Sequence, residues 1–311
     1  MNHNISVKRT KRTLIGLLAS LLLTAGTLFY SYDMEPKTLT VTRHHITSPT
    51  IPHGFDGKTI LQFSDVHLGK NYTHNQLRTL VNRINQEQPD IVVFTGDLID
   101  NFNQYGSQRK GAQPILAQIQ APLGKYAVFG NHDRGGGGSR LYKQYMEGAG
   151  FTVLVNEARK ITADDGESIT ISGLDDFLLG NPDIPQALQP LQMEDFNLLL
   201  VHEPDIADLI MSYPVDLQLS GHSHGGQVQI PWFGTIYTPP LAKKYVEGWY
   251  AVDDANTQNK PLRLYVNRGI GTTELPFRFL SAPELTVIQL QHRKSLIDSS
   301  NPNSLPAIPS Y

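Results

Sequence analysis

The 311-residue chain has no cysteine, which excludes disulfides and any metal site built on thiolates. That absence suits an exported protein without establishing export. No acidic residue occurs before Asp33, and no charge of either sign falls between Thr13 and Tyr32. A basic excess is also missing. The formal net charge is −3, and without the N-terminal Lys8, Arg9, Lys11 and Arg12 the remaining 22 basic residues face 29 acidic ones, a net of −7. A domain with that balance has no global attraction for nucleic acid. Internal repeats are lacking too, and nothing in the sequence marks an obligate protein partner.

What is present is a set of five polar clusters, each following an apolar run. They are Asp65-Val66-His67, Gly96-Asp97, Gly130-Asn131-His132-Asp133, His202, and Gly221-His222-Ser223-His224. The runs before them are Thr59–Phe63, Ile91–Thr95, Tyr126–Phe129, Asn197–Val201 and Val215–Ser220. Carboxylate, amide and imidazole groups suit hard or borderline divalent metals. In α/β folds, residues at the carboxyl ends of strands converge on one crevice. Asp65 to Asp97 is 32 residues and Asp97 to Asn131 is 34, about one βαβ unit each. Leu77, Leu80, Val81 and Ile84 repeat at helical period inside the first interval, and Ile115, Leu116 and Ile119 inside the second. Taken singly, each cluster could be a turn or a core histidine; five in order point to a dinuclear metal site.

The ordered set resembles the calcineurin-like metallophosphoesterase superfamily, with its D-x-H, G-D, G-N-H-D/E, H and G-H-x-H pattern. Phe63–Gly69, Leu219–Gln227, Val266–Thr273 and Pro276-Phe277-Arg278 are similar to a YkuE/YaeI-like subgroup. The likeness covers about Thr38 to Leu290. It implies an α/β/β/α sandwich of two mixed sheets with the metals at one edge. It further implies that Asp65, His67 and His224 hold one ion, that Asn131, His202 and His222 hold the other, and that Asp97 bridges them. Two divalent ions are expected, with Mn favoured over Fe, Zn, Ni or Co. The implied reaction is in-line attack of a hydroxide, held between the ions, on a phosphodiester or phosphomonoester. His132 would donate a proton to the leaving oxygen. Asp133 would orient that imidazole, raise its pKa or simply cap its loop.

Three further residues are candidates for substrate contact. Arg134 leads into the run Gly135–Gly138, which is a lid, a place of close approach or an ordinary flexible loop. Arg268, like Arg278, is suited to a phosphate or to a buried pair with an acid. Trp232 lies in the aromatic, proline-rich segment 231–240, which either walls an apolar site or packs its own loop. A narrower alternative is a pyrophosphatase acting on a nucleotide-sugar-lipid of UDP-diacylglucosamine type. An alternative of another class is a non-catalytic metal-binding or scaffolding protein.

The N-terminus sets the location. Leu14–Tyr30 is 17 uncharged residues, near the lower limit for a membrane span. It ends in aromatic residues, as at a membrane interface, and lacks an Ala-x-Ala cleavage site. The expected layout is a basic cytoplasmic end (1–12), an uncleaved signal anchor (13–32), a catalytic domain (33–292) and a disordered Ser-, Pro- and Asn-rich tail (293–311). The cations before the span place the domain outside the cytoplasm, on a single-pass cell-membrane anchor. Ser31 to Thr38 reads as a tether reaching at most about 25 Å, which favours a membrane-proximal or lipid-linked phosphoester substrate.

Overall fold

The computed structural model of the chain describes residues 2–135, 137–253 and 261–293. From residue 294 the tail lies outside them. Helix α1 (Asn2–Phe29) comes first. It is followed by β1 (Thr40–Ser48), β2 (Thr59–Phe63), α2 (His74–Gln86), β3 (Ile91–Phe94), α3 (Gly106–Leu116) and β4 (Lys125–Ala127). A single turn, α4 (Asn131–Arg134), then leads to α5 (Ser139–Gly148) and β5 (Phe151–Val153). Next come β6 (Glu157–Thr162), β7 (Ser168–Gly173), α6 (Ile184–Leu188), β8 (Asn197–Leu200), α7 (Ala207–Ile210) and β9 (Leu217–Ser220). The short strands β10 (Gln229–Ile230) and β11 (Gly234–Thr235) precede β12 (Gly248–Val252), β13 (Leu262–Val266) and β14 (Glu284–His292).

Two six-stranded sheets result, ordered β1-β14-β2-β3-β4-β5 and β12-β13-β9-β8-β7-β6. Each is mixed. β2 to β5 run parallel while β14 is antiparallel to β2. β7, β8, β9 and β13 run parallel, with β6 and β12 antiparallel at the edges. The central strands are largely apolar and almost wholly buried because both faces are covered. Ile60, Val93, Ile171, Leu198 and Leu219 pack between the sheets. Leu61, Phe63 and Phe94 face Leu77, Leu80 and Ile84 of α2 on one outer side. Leu199 and Leu264 face Ala187 and Ile210 of α6 and α7 on the other. The layers are therefore α/β/β/α, as the family resemblance implies.

Several local expectations hold and others shift. All four periodic residues of α2 are buried, and Thr73 with Gln76 forms a reciprocal capping box at its start. β1 runs from Thr40 to Ser48 and pairs in parallel with β14 along its whole length. Val228–Ile230 does not enter a main sheet; Gln229–Ile230 pairs with Gly234–Thr235 as a separate hairpin. Pro231 stops any extension of that strand, since it has no N–H to give a ladder.

The strand register aligns the site. Phe63 pairs with Phe94 and Phe94 with Ala127. In the other sheet Leu200 pairs with Leu219 and Ser220 with Val266. These residues close their strands or, for Leu219, precede the last residue by one, so both sheets end along one edge. Buried Gln62 joins the sheets there, donating from Nε2 to Ser220 O at 2.9 Å and to Thr95 Oγ1 at 3.1 Å.

The segment after α1 is not a tether. α1 is long and apolar enough to cross a membrane by length and composition. It passes directly into a π-turn, Tyr30–Met34, and a 3-10 turn, Glu35–Lys37. These turns dock on residues 277–281. Ser31 O accepts from Arg278 N at 2.9 Å. The Glu35 carboxylate, buried, accepts from Leu280 N at 2.9 Å and Ser281 N at 2.6 Å. Tyr30 and Tyr32 meet the rings of Phe279 and Phe277. A free tether was the expectation because these contacts join residues about 245 apart, which no local pattern announces. Glu35→Ala leaves two buried N–H groups unpaired, at a cost of about 1–3 kcal/mol. A clear drop in melting temperature of the detergent-solubilised full chain is expected; an unchanged value would show that water replaces the carboxylate.

Candidate metal centre

The residues that follow the strand ends turn sharply back on themselves. Asp65 (φ 51°), His67 (47°), Asp97 (63°), His222 (67°) and His224 (52°) all lie in the left-handed region. Non-glycine residues are uncommon there, and Asp and His are among the better tolerated. Five such positions in one cleft mark strain concentrated where geometry matters, at about 1–3 kcal/mol each. Two glycines make the crowding feasible. A Cβ on Gly130 would lie 2.2 Å from Asp97 Oδ1, and one on Gly221 would lie 2.3 Å from Asp65 Oδ2.

The seven predicted ligand residues come together at this edge. Asp65, His67 and His224 bring their donor atoms within 4.8 Å of one another, and Asp97, His202 and His222 do the same. Asp97 Oδ2 stands between the groups, 3.6 Å from His67 Nε2 and 3.3 Å from His202 Nε2. His224 Nε2 is 3.3 Å from Asp65 Oδ1 and 3.1 Å from His67 Nε2. His222 Nδ1 is 3.2 Å from His202 Nε2. Asn131 Oδ1 is buried without a hydrogen-bond partner.

Outer contacts settle which nitrogen points inward. His202 Nδ1 lies 2.6 Å from Thr95 O, and His222 Nε2 lies 2.8 Å from Pro240 O. Each carbonyl takes an N–H, which leaves the opposite nitrogen with its lone pair facing the cluster. Burial, with His202 beside it, lowers the His222 imidazole to about 3, whereas burial would lower His202 but Asp97 and Asp65 raise it. Burial, with His67 and Arg278, holds His224 well below its usual range. Neutral imidazole is the ligating form. Burial raises the Asp65 carboxyl, with neighbouring imidazoles opposing. Burial also works to raise Asp97, but His202, His132 and His67 outweigh it and hold that carboxyl well below the normal value. An orphaned amide oxygen, inward lone pairs and buried carboxylates together fit divalent cations.

His132 stands beside this cluster with its backbone N–H on Asp97 Oδ1 at 2.9 Å. Its Nδ1 lies 2.5 Å from Asp100 O and 3.9 Å from Asp100 Oδ1, so Nε2 is the nitrogen left for a substrate. Burial would lower this imidazole, yet Asp97 and Asp100 raise it above the usual value. His132, Asn131, Asp97, His222 and His224 line a cavity of about 250 Å³ whose other wall is Leu178, Tyr237, Pro239 and Pro240.

Asp133 is near His132 in sequence but serves a different set of atoms. Its carboxylate accepts from Asp97 N at 2.7 Å, Leu98 N at 3.0 Å and Gly130 N at 3.0 Å. Burial and the Asp97 charge push it up to about 8, against those three donors. Asp100, which sequence reading passed over, meets the His132 ring through its backbone carbonyl, while its carboxylate lies 3.5 Å from His67 Nδ1; its position three residues after Asp97 in the same loop is the signal that would have found it. The guanidinium of Arg134 lies over the Phe129 ring and donates from Nε to Asp175 Oδ1 at 2.7 Å. Arg268 faces Glu284 at 3.4 Å and Glu247 at 3.9 Å, away from the cavity. Arg278 is fully buried and donates to the carbonyls of Gly271, Ser281 and Arg268. Trp232 is 99% exposed and does not line the cavity.

A paired Asp/His/Asn cluster at the carboxyl edge of a two-sheet α/β/β/α sandwich defines a metal-dependent phosphoester hydrolase. The chain belongs to the calcineurin-like phosphoesterase family, whose pattern matches residues 58–226. It is 46% identical to the metallophosphoesterase YkuE of Bacillus subtilis over 92% of this chain and 98% of that protein. It is 26% identical to the phosphodiesterase YaeI of Escherichia coli, over 90% of this chain and 99% of that one. It is also 26% identical to the UDP-2,3-diacylglucosamine pyrophosphatase LpxG of Chlamydia trachomatis, over 88% and 97%.

Asp133→Ala removes the acceptor for three buried N–H groups. A loss of at least about 1–3 kcal/mol in unfolding free energy is expected, readable by denaturant titration. Full stability would mean that the Gly130 and Asp97 loops hold without the carboxylate.

Proposed function

We propose that this protein is a membrane-anchored phosphoesterase with two divalent ions, hydrolysing a phosphodiester or phosphomonoester at the outer face of the cell membrane. The observation that carries this reading is the position of Asp97 Oδ2 between His67 of the group Asp65, His67 and His224 on one side and His202, beside His222, on the other. Asp65, His67 and His224 would hold one ion, Asn131, His202 and His222 the other, and Asp97 both. Bound there, two ions supply positive charge to the phosphoryl oxygens and a nucleophile from water near neutral pH. The mixed N/O donor set admits Mn, Fe, Zn, Ni or Co.

The chain's own groups supply the remaining steps. His132, raised by Asp97 and Asp100, donates a proton from Nε2 to the leaving oxygen. Asp100 positions that ring, and Asp133 holds the backbone that presents Asp97 and Asn131. The apolar wall of Leu178, Tyr237 and Pro239 receives the part of the substrate beyond the phosphate. That wall, with the named activity of the LpxG relative, favours a second reading in which the substrate is a lipid-bearing nucleotide pyrophosphate. Lys8, Arg9, Lys11 and Arg12, in the first half of α1 and ahead of its uncharged stretch, support an outward placement of the domain.

Two experiments test this. Full-length protein in detergent, loaded with Mn²⁺, is expected to hydrolyse bis-p-nitrophenyl phosphate. His132→Ala should keep its metal and lose about 10²-fold or more in turnover. Undiminished activity would remove His132 from the reaction, and no hydrolysis of diester or monoester by the two-metal protein would favour the lipid-pyrophosphate reading. Asp97→Asn should lower metal content at both positions together. A full complement at one position, measured by elemental analysis, would defeat the shared carboxylate.

A further inference from the structure

The hairpin β10–β11 has a surface that the catalytic reading leaves unused. Its tip carries Trp232 and Phe233, 99% and 86% exposed, and Ile236 and Tyr237 beside them are exposed as well. Aromatic side chains of this size are seldom left fully in water without a partner, and a contiguous apolar patch marks an interaction site. The tip is also a built feature. Phe233 N donates to Ile230 O at 3.0 Å to close the turn. Trp232 is held at φ 69° and Gly234 at φ 79°.

Its place in the fold identifies what covers it. Gln229 N donates to Phe279 O and Phe279 N to Gln227 O, both at 2.8 Å. The other side of that same segment receives the end of α1, through Arg278 N on Ser31 O and through Glu35 on Leu280 and Ser281. The hairpin base is thus separated from the anchor's exit by one stretch of backbone, about 10 Å at two strand spacings. Leu280, on that intervening stretch, is exposed too, as is Leu275 nearby.

We propose that the hairpin is a second membrane contact, with Trp232 and Phe233 inserted in the lipid interface beside α1. The occupant is the bilayer rather than a second protein, because the patch is continuous with the docked end of a membrane helix. Aromatic rings partition to that interface, and an interfacial element sinks about 5–10 Å into the headgroup and acyl boundary. Tyr237 belongs both to this patch and to the cavity wall. Insertion would hold the cavity mouth against the bilayer, so that phosphoesters carried on lipid headgroups reach His132 without leaving the membrane. The inference rests on α1 crossing the bilayer.

The test uses the full chain as Trp249→Phe, which leaves Trp232 as its one tryptophan, in nanodiscs with lipids brominated along the acyl chain. Trp232 emission is expected to shift to the blue and lose most of its intensity. Carbonate washing of vesicles checks α1 separately. Protein that stays with the vesicles while Trp232 remains unquenched by bromine and open to iodide would overturn the hairpin contact alone. Shielding from both quenchers, with a dimer in sedimentation, would assign the patch to a second copy and also overturn it.

Discussion

The carboxylate of Asp97, almost wholly withdrawn from water where the two sheets meet, constrains everything around it. A buried charge is costly unless paired and hydrogen-bonded, and here imidazoles from both sheets approach it. His67 comes from the end of β2, and His202 from the end of β8. Neither sheet could carry this group alone. The packing of Ile60, Val93, Leu198 and Leu219 between the layers is therefore also what aligns the charges, and Gln62 secures the edge where alignment is tightest. The left-handed backbone at five of the donor positions is stable only because this packing holds the strands that lead into it.

Much of the site was legible in the chain because its chemistry requires particular side chains directly after apolar runs. The order of Asp65, Asp97, Asn131, His202 and His222 along the sequence follows the order in which strands end. The helical face of α2 followed from periodicity, and the sandwich from the family resemblance. What stayed hidden depends on contacts between distant residues. Asp133 looked like a partner for the imidazole next to it, but its oxygens turn to the backbone of Asp97 and Gly130. Asp100 is marked only by lying three residues after Asp97, and it reaches the His132 ring only because the two loops fold onto each other. Arg268 and Arg134 look identical to phosphate-binding arginines in sequence, yet each faces an acid.

The catalytic domain and the apolar helix also prove less separable than a domain boundary suggests. Residues 277–281 serve three purposes at once. They receive the end of α1, pair with Gln227 and Gln229, and carry the guanidinium of Arg278 to within 3.5 Å of His224 Nδ1. The route from helix to cluster passes through hydrogen bonds rather than through free chain. Family membership explains the cluster; the docked helix end is visible only in the folded chain.

The continuity of α1 with the π-turn at Tyr30–Met34 has a mechanical consequence. A domain hung on a flexible leash samples all orientations over a membrane, whereas one mounted on a rigid post cannot swivel. With α1 seated in a bilayer as proposed, the height and tilt of the cleft would be fixed properties of the molecule, set by the angle at which the helix leaves it. Changing the length of the helical segment by one residue would rotate the cleft by about 100° about the post, so its insertions and deletions should matter as much as substitutions in the cleft itself.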